Sequence, residues 1–287
     1  MSALRLDPRT VRRVLNGAGL HARHRLSQNF LADVEVLEGI LAEAKPQPGR
    51  GVLEIGPGLG FLTGGLLASG AAVTAVELDT GLAAFLRDAY ATELEAGQLR
   101  LIEGDALDQH LVGLVAPPYE VVANLPYHIT SPIMHRLLGQ PPRAERLVLM
   151  VQREVAERIA APAGEMSYLS VFVQYHARAR VAFRVPREAF EPAPKVESAV
   201  LVLEPYDTDD RLDAAAEDQL WRLVQAGFRE RRKMLHNVLR RQLPIEPARV
   251  EAGLAAVGIA PDRRPQTLAV GEWIALSEAL GPLPGGR

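Results

Sequence analysis

The sequence contains no cysteine among its 287 residues, and only three lysines and four asparagines. The absence of cysteine excludes disulfides, thiol nucleophiles and cysteine-ligated metals. The seven histidines show no paired spacing of metal ligands, so we expect no bound metal. No segment approaches the ~18 consecutive apolar residues of a membrane helix, and the amino terminus lacks the features of a signal peptide. We therefore expect a cytoplasmic protein that does not contact a membrane.

The basic residues are unevenly distributed, although the formal net charge is only −3. Between Arg5 and Arg25 there are six arginines and a single acid. Between Arg222 and Arg241 there are seven basic residues and a single acid. Such clusters are typical of surfaces that bind nucleic-acid phosphates, whereas the net charge argues against a uniformly basic binder. For the second cluster, an exposed helix face without a ligand is the alternative interpretation.

Short apolar runs alternate with amphipathic segments through most of the chain. Predicted strands cover residues 51–55, 72–76, 99–103, 119–123, 147–151, 181–185 and 198–203. Helices are predicted over residues 61–68, 80–91, 131–138 and 168–175, with a further one ending at 159. This alternation predicts an α/β fold with a mostly parallel sheet covered on both faces. We expect two domains, at residues 1–205 and 206–287, and the second is predicted to be helical and to bind RNA.

A glycine-rich turn follows the first predicted strand, with the sequence Glu54-Ile-Gly56-Pro-Gly58-Leu-Gly60. Glycines allow a ligand to approach the backbone closely, and the next helix offers free N–H groups at its N-terminus. Glu77 ends the next strand, 21 residues beyond Gly56, where a carboxylate can accept ribose hydroxyls. The pattern predicts a nucleotide-containing cofactor. A glycine turn without a ligand is the alternative.

The residues around this turn favour one class of cofactor. A dehydrogenase fingerprint requires a third glycine at the position of Phe61. Glu54 would lie close to a pyrophosphate and repel it, but it would be favourable near the ammonium group of a methionine moiety. We therefore expect S-adenosyl-L-methionine.

A second motif, Asn124-Leu125-Pro126-Tyr127, lies at the end of another predicted strand. Adenine N6 is a poor nucleophile because its lone pair is delocalised into the ring. An amide oxygen and a backbone carbonyl can accept hydrogen bonds from its two N–H groups, and an aromatic ring can stack on an extruded base. Asn124, the carbonyl of Leu125 and the ring of Tyr127 fit these roles, and Pro126 stiffens the loop. A structural turn with a core tyrosine is the alternative.

Together with further segments in the same order, these motifs resemble the ribosomal RNA adenine dimethyltransferase family over nearly the whole chain. The further segments are Ser27 to Leu31, Glu77 to Asp79, Gly104 to Ala106, Gln152 to Val155, Phe190 to Ser198 and Arg231 to Leu235. The resemblance implies a Rossmann-like S-adenosylmethionine-dependent methyltransferase with a small all-helical C-terminal domain. It implies an enzyme that dimethylates N6 of two adjacent adenosines near the 3′ end of small-subunit (16S) ribosomal RNA. Its partners would be that RNA and the immature small ribosomal subunit, and we expect a monomer.

The resemblance also implies individual roles. The cofactor-binding residues would be Gln28, Asn29, Leu31, Glu54, Gly56, Gly58, Glu77, Leu78, Asp105, Ala106 and Asn124. The catalytic residues would be Asn124, Leu125, Pro126, Tyr127 and Phe190, and Phe190 would stack on the target adenine opposite Tyr127. With the charge pattern, the resemblance indicates RNA-binding residues Lys195, Arg229, Arg231, Arg232 and Lys233.

Three other functions remain open. The first is a large-subunit dimethyltransferase that confers macrolide resistance, although its helical domain and basic distribution differ. The second is an RNA-binding or ribosome-assembly factor without catalysis, which Glu77, Asp105 and Asn124 disfavour. A dehydrogenase is the third.

Overall fold

The computed structural model describes residues 6–23, 28–206 and 212–284. Arg5, Arg25 and Ser27 of the segments singled out above lie outside these ranges. The chain forms two compact units. The first comprises Met1–Ala156 and Ala177–Pro205, and the second comprises Glu157–His176 and Tyr206–Arg287.

The predicted domains differ from these units in the segment Glu157–His176. This segment belongs to the second unit because Met166, Val171 and Tyr175 lie in that unit's hydrophobic core. The difference could not be read from hydrophobic periodicity, which predicts a helix here but not the core that it joins.

The strands of the first unit are β1 (Phe30–Leu31), β2 (Gly51–Ile55), β3 (Ala72–Glu77), β4 (Leu99–Glu103), β5 (Tyr119–Asn124), β6 (Arg146–Gln152), β7 (Ala177–Val185), β8 (Phe190–Glu191) and β9 (Ser198–Pro205). Seven of them form one sheet in the order β4-β3-β2-β5-β6-β9-β7, while β1 and β8 form an antiparallel pair. Strands β4, β3, β2, β5 and β6 are parallel to one another. Strand β9 is antiparallel to β6, and β7 is antiparallel to β9. The apolar residues of β2 and β5 are buried on both sides of the sheet, as expected for central parallel strands.

The strand order reverses beside β2. The chain runs from β2 through β3 to β4 on one side, then returns to β5 on the other. In parallel sheets such a reversal leaves a crevice outside the carboxyl ends of the two strands involved. The predicted sheet therefore forms, and the ends of β2 and β5 mark its natural ligand site.

The helices are α1 (Pro8–Gly17), α2 (Val34–Ala44), α3 (Phe61–Ala68), α4 (Thr80–Ala89), α5 (Ala91–Glu95), α6 (Thr130–Leu138), α7 (Arg153–Ile159), α8 (Tyr168–His176), α9 (Ala214–Phe228), α10 (Leu235–Gln242), α11 (Pro247–Ala256) and α12 (Val270–Leu280). Helices α1 and α2 were not predicted from the sequence, although each follows an aspartate whose side chain accepts backbone N–H bonds. Asp7 accepts from Thr10, and Asp33 accepts from Glu35 and Val36. In the part of the chain that the structure describes, no helix is both long and apolar enough to cross a bilayer.

The second unit packs α8 to α12 around Trp273, which is fully buried. A Cβ at Gly227 would lie 2.5 Å from Cη2 of Trp273, so glycine at this position of α9 lets the indole approach the helix. The indole therefore fixes the packing of α9 and α12 at the centre of this core.

The helix face considered for the second basic cluster is interrupted. The cluster does not lie on one helix, because α9 ends at Phe228 and α10 begins at Leu235. On a continuous helix Arg229 would face Arg232 and Lys233, and like charges at those spacings destabilise a helix. The Leu235 amide donates instead to the carbonyl of Arg263, which anchors the start of α10 in the core.

Candidate active site

A cavity of the first unit lies at the carboxyl ends of β2, β3 and β5. The predicted residues that line it are Gln28, Asn29, Leu31, Glu54, Gly56, Gly58, Glu77, Leu78, Asp105, Ala106, Asn124, Leu125, Pro126 and Tyr127. The cavity thus brings together residues from separate segments of the sequence.

The glycine turn between β2 and α3 forms the floor of this cavity. At Gly60 the backbone φ is +80°, in the left-handed region that favours glycine. A Cβ at this position would lie 2.6 Å from Cε2 of Tyr90. The Tyr90 hydroxyl donates a 2.7 Å hydrogen bond to the carbonyl of Gly60. The turn is therefore held rigidly, and it ends at the N-terminus of α3.

Glu77 joins three parts of the site. Its Oε2 accepts a bond from the Gly58 amide at 3.0 Å, and its Oε1 accepts one from the Asp79 amide at 2.8 Å. The side chain is 5% exposed, and burial raises its pKa while these backbone bonds act in the opposite direction. Because each carboxylate oxygen has a second lone pair, both oxygens can still accept ribose hydroxyls. Glu77 is thus oriented for that role by the fold itself.

Glu54 lies deeper in the cavity, at 1% exposure. Its Oε2 accepts a 2.7 Å bond from the hydroxyl of Thr63, in the first turn of α3. Burial raises the pKa of Glu54 to about 8, and the nearby Glu77 carboxylate adds to this effect, while the Thr63 bond opposes it. A cationic group placed beside Glu54 would favour its ionised form.

Gln28 is hydrogen-bonded to the residue that caps the N-terminus of α4. Its Nε2 donates to Asp79 at 3.2 Å, and its Oε1 accepts from the backbone amide of Arg23. Asp79 caps α4 through bonds from the amides of Gly81 and Leu82. The segment before β1 is therefore fastened to the end of β3, where it closes one side of the cavity.

The Asn124 loop begins at the end of β5. The amide Nδ2 of Asn124 donates a 3.2 Å bond to the backbone carbonyl of Asn29. The Leu125 amide donates to the carbonyl of Met150 in β6 at 3.1 Å, and the Leu125 side chain is 1% exposed. These bonds fix the direction of the loop backbone, so the amide oxygen of Asn124 and the carbonyl of Leu125 have defined positions.

Tyr127 is half-buried and its hydroxyl lies 2.8 Å from Oγ of Ser198. Ser198 is fully buried at the start of β9, where it pairs with Gln152 of β6 and Val185 of β7. The ring of Tyr127 is therefore held against the sheet. The bond to the Tyr127 hydroxyl could not be predicted from the sequence, because Ser198 is 71 positions away.

Phe190 is the predicted catalytic residue that does not line the cavity. Its side chain is 2% exposed and lies in the hydrophobic core of the first unit, and its backbone pairs with Leu31. The aromatic ring that does line the cavity from this antiparallel pair is that of Phe30. The stacking role of Phe190 stays a prediction.

The charge of the cavity is of one sign. Glu54, Glu77 and Asp105 line it, and no lysine or arginine of the described residues does. Leu78 adds an exposed apolar side chain to the wall. Across residues 6–23, 28–206 and 212–284, no group of three or more histidines and acids is arranged to hold a metal. The cavity suits a cofactor with cationic and apolar parts, and it would repel a pyrophosphate.

The cavity lining contains none of the predicted RNA-binding residues. Lys195 is exposed in the loop between β8 and β9 of the first unit. In the second unit, Arg231, Arg232 and Lys233 are exposed in the turn between α9 and α10. Arg229 lies in the same turn and donates to the side chain of Gln242 at 2.9 Å.

Known proteins resemble this chain over most of its length. A family model described as "Ribosomal RNA adenine dimethylase" matches residues 19–280. The chain is 44% identical over 274 residues to a ribosomal RNA small subunit methyltransferase A of Synechococcus sp. (strain RCC307), covering 92% of this chain and 98% of that protein.

Two solved structures are similar over most of the chain. A dimethyladenosine transferase from Plasmodium falciparum has a TM-score of 0.72 at 26% identity, covering 86% of this chain and 95% of that one. The 23S rRNA methyltransferase ErmE has a TM-score of 0.69 at 29% identity, covering 88% of this chain and all of that one. The Rossmann-like methyltransferase fold expected from the sequence is confirmed. Since the family model spans most of the chain, the chain belongs to the ribosomal RNA adenine dimethylase family.

Proposed function

We propose that this protein dimethylates N6 of two adjacent adenosines near the 3′ end of small-subunit ribosomal RNA, using S-adenosyl-L-methionine. It acts as a cytoplasmic monomer on the immature small subunit. The small-subunit assignment is supported by the relative at 44% identity, whose name specifies that subunit. The observation that carries the chemistry is the Asn124 amide, which is held by Asn29 at the rim of an acidic cavity.

The cavity residues fit the parts of the cofactor. Glu77 would accept the ribose hydroxyls, Asp105 the adenine amine, and Glu54 would face the ammonium group. Leu78 would contact the adenine ring. When bound, the cofactor supplies a methyl group that is already activated by its sulfonium. The enzyme therefore needs to prepare only the nucleophile.

Asn124 and Leu125 prepare the target amine. Their carbonyl oxygens accept hydrogen bonds from the two N6 N–H groups, which favours a tetrahedral nitrogen whose lone pair is directed at the methyl group. Such preorganised acceptors act most strongly as charge develops in the transition state. Tyr127 holds the base by stacking, and the Ser198 bond fixes the plane of its ring.

The same acceptors serve both methyl transfers. The first transfer leaves N6 with a methyl group, two protons and a positive charge. Loss of one proton to solvent restores a neutral nitrogen with one N–H, so one of the two oxygens is enough to hold it. The second oxygen is then next to the new methyl group. The site can accordingly accept adenine and its monomethylated form, which a dimethylating enzyme requires.

The exposed turn between α9 and α10 is part of the proposed RNA-binding surface. Arg231, Arg232 and Lys233 form no ion pair with any described residue. Replacing all three with alanine should weaken binding to the small subunit and flatten its salt dependence, by about 0.7–0.9 in slope for each phosphate that the variant no longer binds. Cofactor affinity, measured by calorimetry on the same variant, should not change.

The proposal is tested with purified protein, cofactor and small subunits that lack the modification. Nucleoside mass spectrometry should detect N6,N6-dimethyladenosine in the small-subunit RNA, at two adjacent positions near its 3′ end. The Asn124→Ala variant is the control that retains the fold but should lose activity. The similarity to ErmE makes large-subunit RNA the second substrate to test. Dimethylation of large-subunit RNA alone would overturn the proposal.

A further inference from the structure

Helix α1 carries its arginines on one exposed face. Arg9, Arg12 and Arg13 follow helical spacing of three and four residues, and all three are exposed. Thr10, Val11 and Leu15 are buried on the other side of the helix. The helix thus attaches to the first unit through its apolar side and presents an arginine face, defined here as Arg9, Arg12 and Arg13.

The charges on this face are only partly compensated. Arg12 forms an ion pair with Glu191 at 2.7 Å. Arg9 and Arg13 form no ion pair with a described residue, and no acidic side chain lies in the first turn of the helix. Arg9 and Arg13 are four residues apart, a spacing at which like charges repel and destabilise a helix. An anion bound across the face would relieve this repulsion.

The arginine face is connected to the wall of the active site. Arg12 holds Glu191 of β8, Glu191 pairs with Phe30 of β1, and Phe30 lines the cavity. Helix α1 also packs beside β8. Arg9 and Arg13 therefore lie on a helix that is connected to the wall of the cavity through Arg12, Glu191 and Phe30.

Positive charge close to this cavity would favour RNA binding, because the cavity itself offers no basic side chain to a phosphate. The cavity is lined by Glu54, Glu77 and Asp105 without a basic residue among the described ones. A polyanion that delivers a base to this site meets unfavourable electrostatics unless positive charge lies nearby. Most of the affinity of nucleic-acid complexes comes from phosphate contacts of this kind.

We propose that the arginine face of α1 binds the phosphates of the RNA strand that carries the target adenosines. Arg9 and Arg13 make the phosphate contacts, and Arg12 positions the helix through Glu191. The inference rests on the proposed function and adds to it a docking surface on the first unit. It commits to RNA as the occupant and not to a ribosomal protein.

The test compares two charge-matched double variants. Arg9→Ala with Arg13→Ala removes the proposed phosphate-binding groups. Arg100→Ala with Arg178→Ala removes the same charge from exposed positions on the edge strands β4 and β7. Binding to unmodified small subunits is measured between about 50 and 200 mM salt. The slope of log K against log salt should fall by about 0.7–0.9 per arginine in the first variant, while the second keeps the wild-type slope.

Two further measurements separate a phosphate contact from a structural effect. Arg9→Lys with Arg13→Lys should restore most of the slope, because a phosphate accepts either cation. In the alanine variant the small-subunit concentration that gives half-maximal methylation should rise, while cofactor affinity measured by calorimetry should not change. An unchanged slope, or an equal decrease in the Arg100 and Arg178 variant, overturns the inference.

The absence of cysteine provides a direct probe of the occupant. Arg13→Cys introduces a single thiol, to which a photoreactive group can be attached. Crosslinking to ribosomal RNA is expected, and crosslinking only to a ribosomal protein, or to neither, contradicts the inference.

If the wild type binds subunits through this face but methylates no adenine, the proposed function fails and the docking surface remains. If the wild type methylates adenine but the slope of log K against log salt is unchanged in Arg9→Ala with Arg13→Ala, only the docking surface fails.

Discussion

The side-chain amide of Asn124 donates its hydrogen bond to the backbone carbonyl of Asn29, 95 positions away in the sequence. A carbonyl can only accept, so the nitrogen of the amide must face Asn29. The amide oxygen is thereby left to accept a hydrogen bond from N6–H. One bond to the segment before β1 therefore selects the orientation that the chemistry needs.

Asn124→Ala should lower the single-turnover methylation rate by ~100-fold or more, the range for losing one preorganised polar group at a reacting centre. Asn124→Asp should be similarly impaired although it keeps an oxygen, because a carboxylate cannot donate to Asn29. Rates are measured at saturating cofactor and small subunits. RNA binding should survive in both variants, and a wild-type rate in Asn124→Asp would show that the Asn29 bond has no role.

The bond between Tyr127 and Ser198 is expected to contribute through ring position. Tyr127→Phe and Ser198→Ala should each reduce methylation by roughly the effect of one hydrogen bond, about 0.5–1.5 kcal/mol. The double variant should be no worse than either single one, because both remove the same bond. Tyr127→Ala should lose a further ~1–3 kcal/mol of base stacking. A double-mutant cycle in single-turnover rates measures this, and additive losses would mean that the two residues act independently.

Glu77→Ala should weaken S-adenosylmethionine binding by about 1.5–3 kcal/mol, since it removes a charged acceptor of hydrogen bonds. Calorimetric titration measures the change. Glu103→Ala is the matched control, because Glu103 lies on neighbouring β4 in register with Glu77 but does not line the cavity. Wild-type affinity in Glu77→Ala would remove this residue from the site.

Glu54 should make stability depend on pH in the protein without added cofactor. Its pKa is raised from 4.5 to about 8, chiefly by burial. The folded state therefore holds a proton that the unfolded chain releases above 4.5, so stability is lost as the pH rises from about 4.5 to about 8 and then levels off.

Glu54→Gln removes this dependence. The Tm of wild type minus that of Glu54→Gln should fall by several degrees between about pH 5 and 8, since 1 kcal/mol shifts Tm by about 2–4 °C in domains of this size. Little change is expected at higher pH. A difference that is flat over the whole range would mean that Glu54 titrates near its ordinary value.

Much of the fold could be predicted because its central strands are buried on both faces. Such strands are apolar runs, and β2, β3 and β5 appear where these runs stand in the sequence. The glycine turn and Glu77 were also identifiable, because their spacing follows from the length of one strand–helix–strand unit. Local patterns of this kind depend on residues close in sequence.

The remainder of the site depends on contacts between distant residues. Ser198 meets Tyr127 across 71 positions, and no local pattern specifies that bond. The partner of Asn124 is a backbone carbonyl, which every residue possesses. The helix predicted to begin at Ser131 begins instead at Thr130, without a side-chain cap, because a 3-10 turn leads directly into it. These features are set by tertiary packing.

The two backbone bonds of Glu77 have a consequence for how the site responds to its cofactor. A side chain that is already immobilised loses little conformational entropy when a ligand arrives. The entropic cost of ordering the Glu77 side chain arises during folding instead. Folding also carries the free-energy cost of burying its carboxylate, whose described hydrogen-bond partners are backbone amides. A ligand that binds only the folded state raises its resistance to heat as occupancy rises. Cofactor supply in the cell would thus set the lifetime of this protein as well as its rate of catalysis.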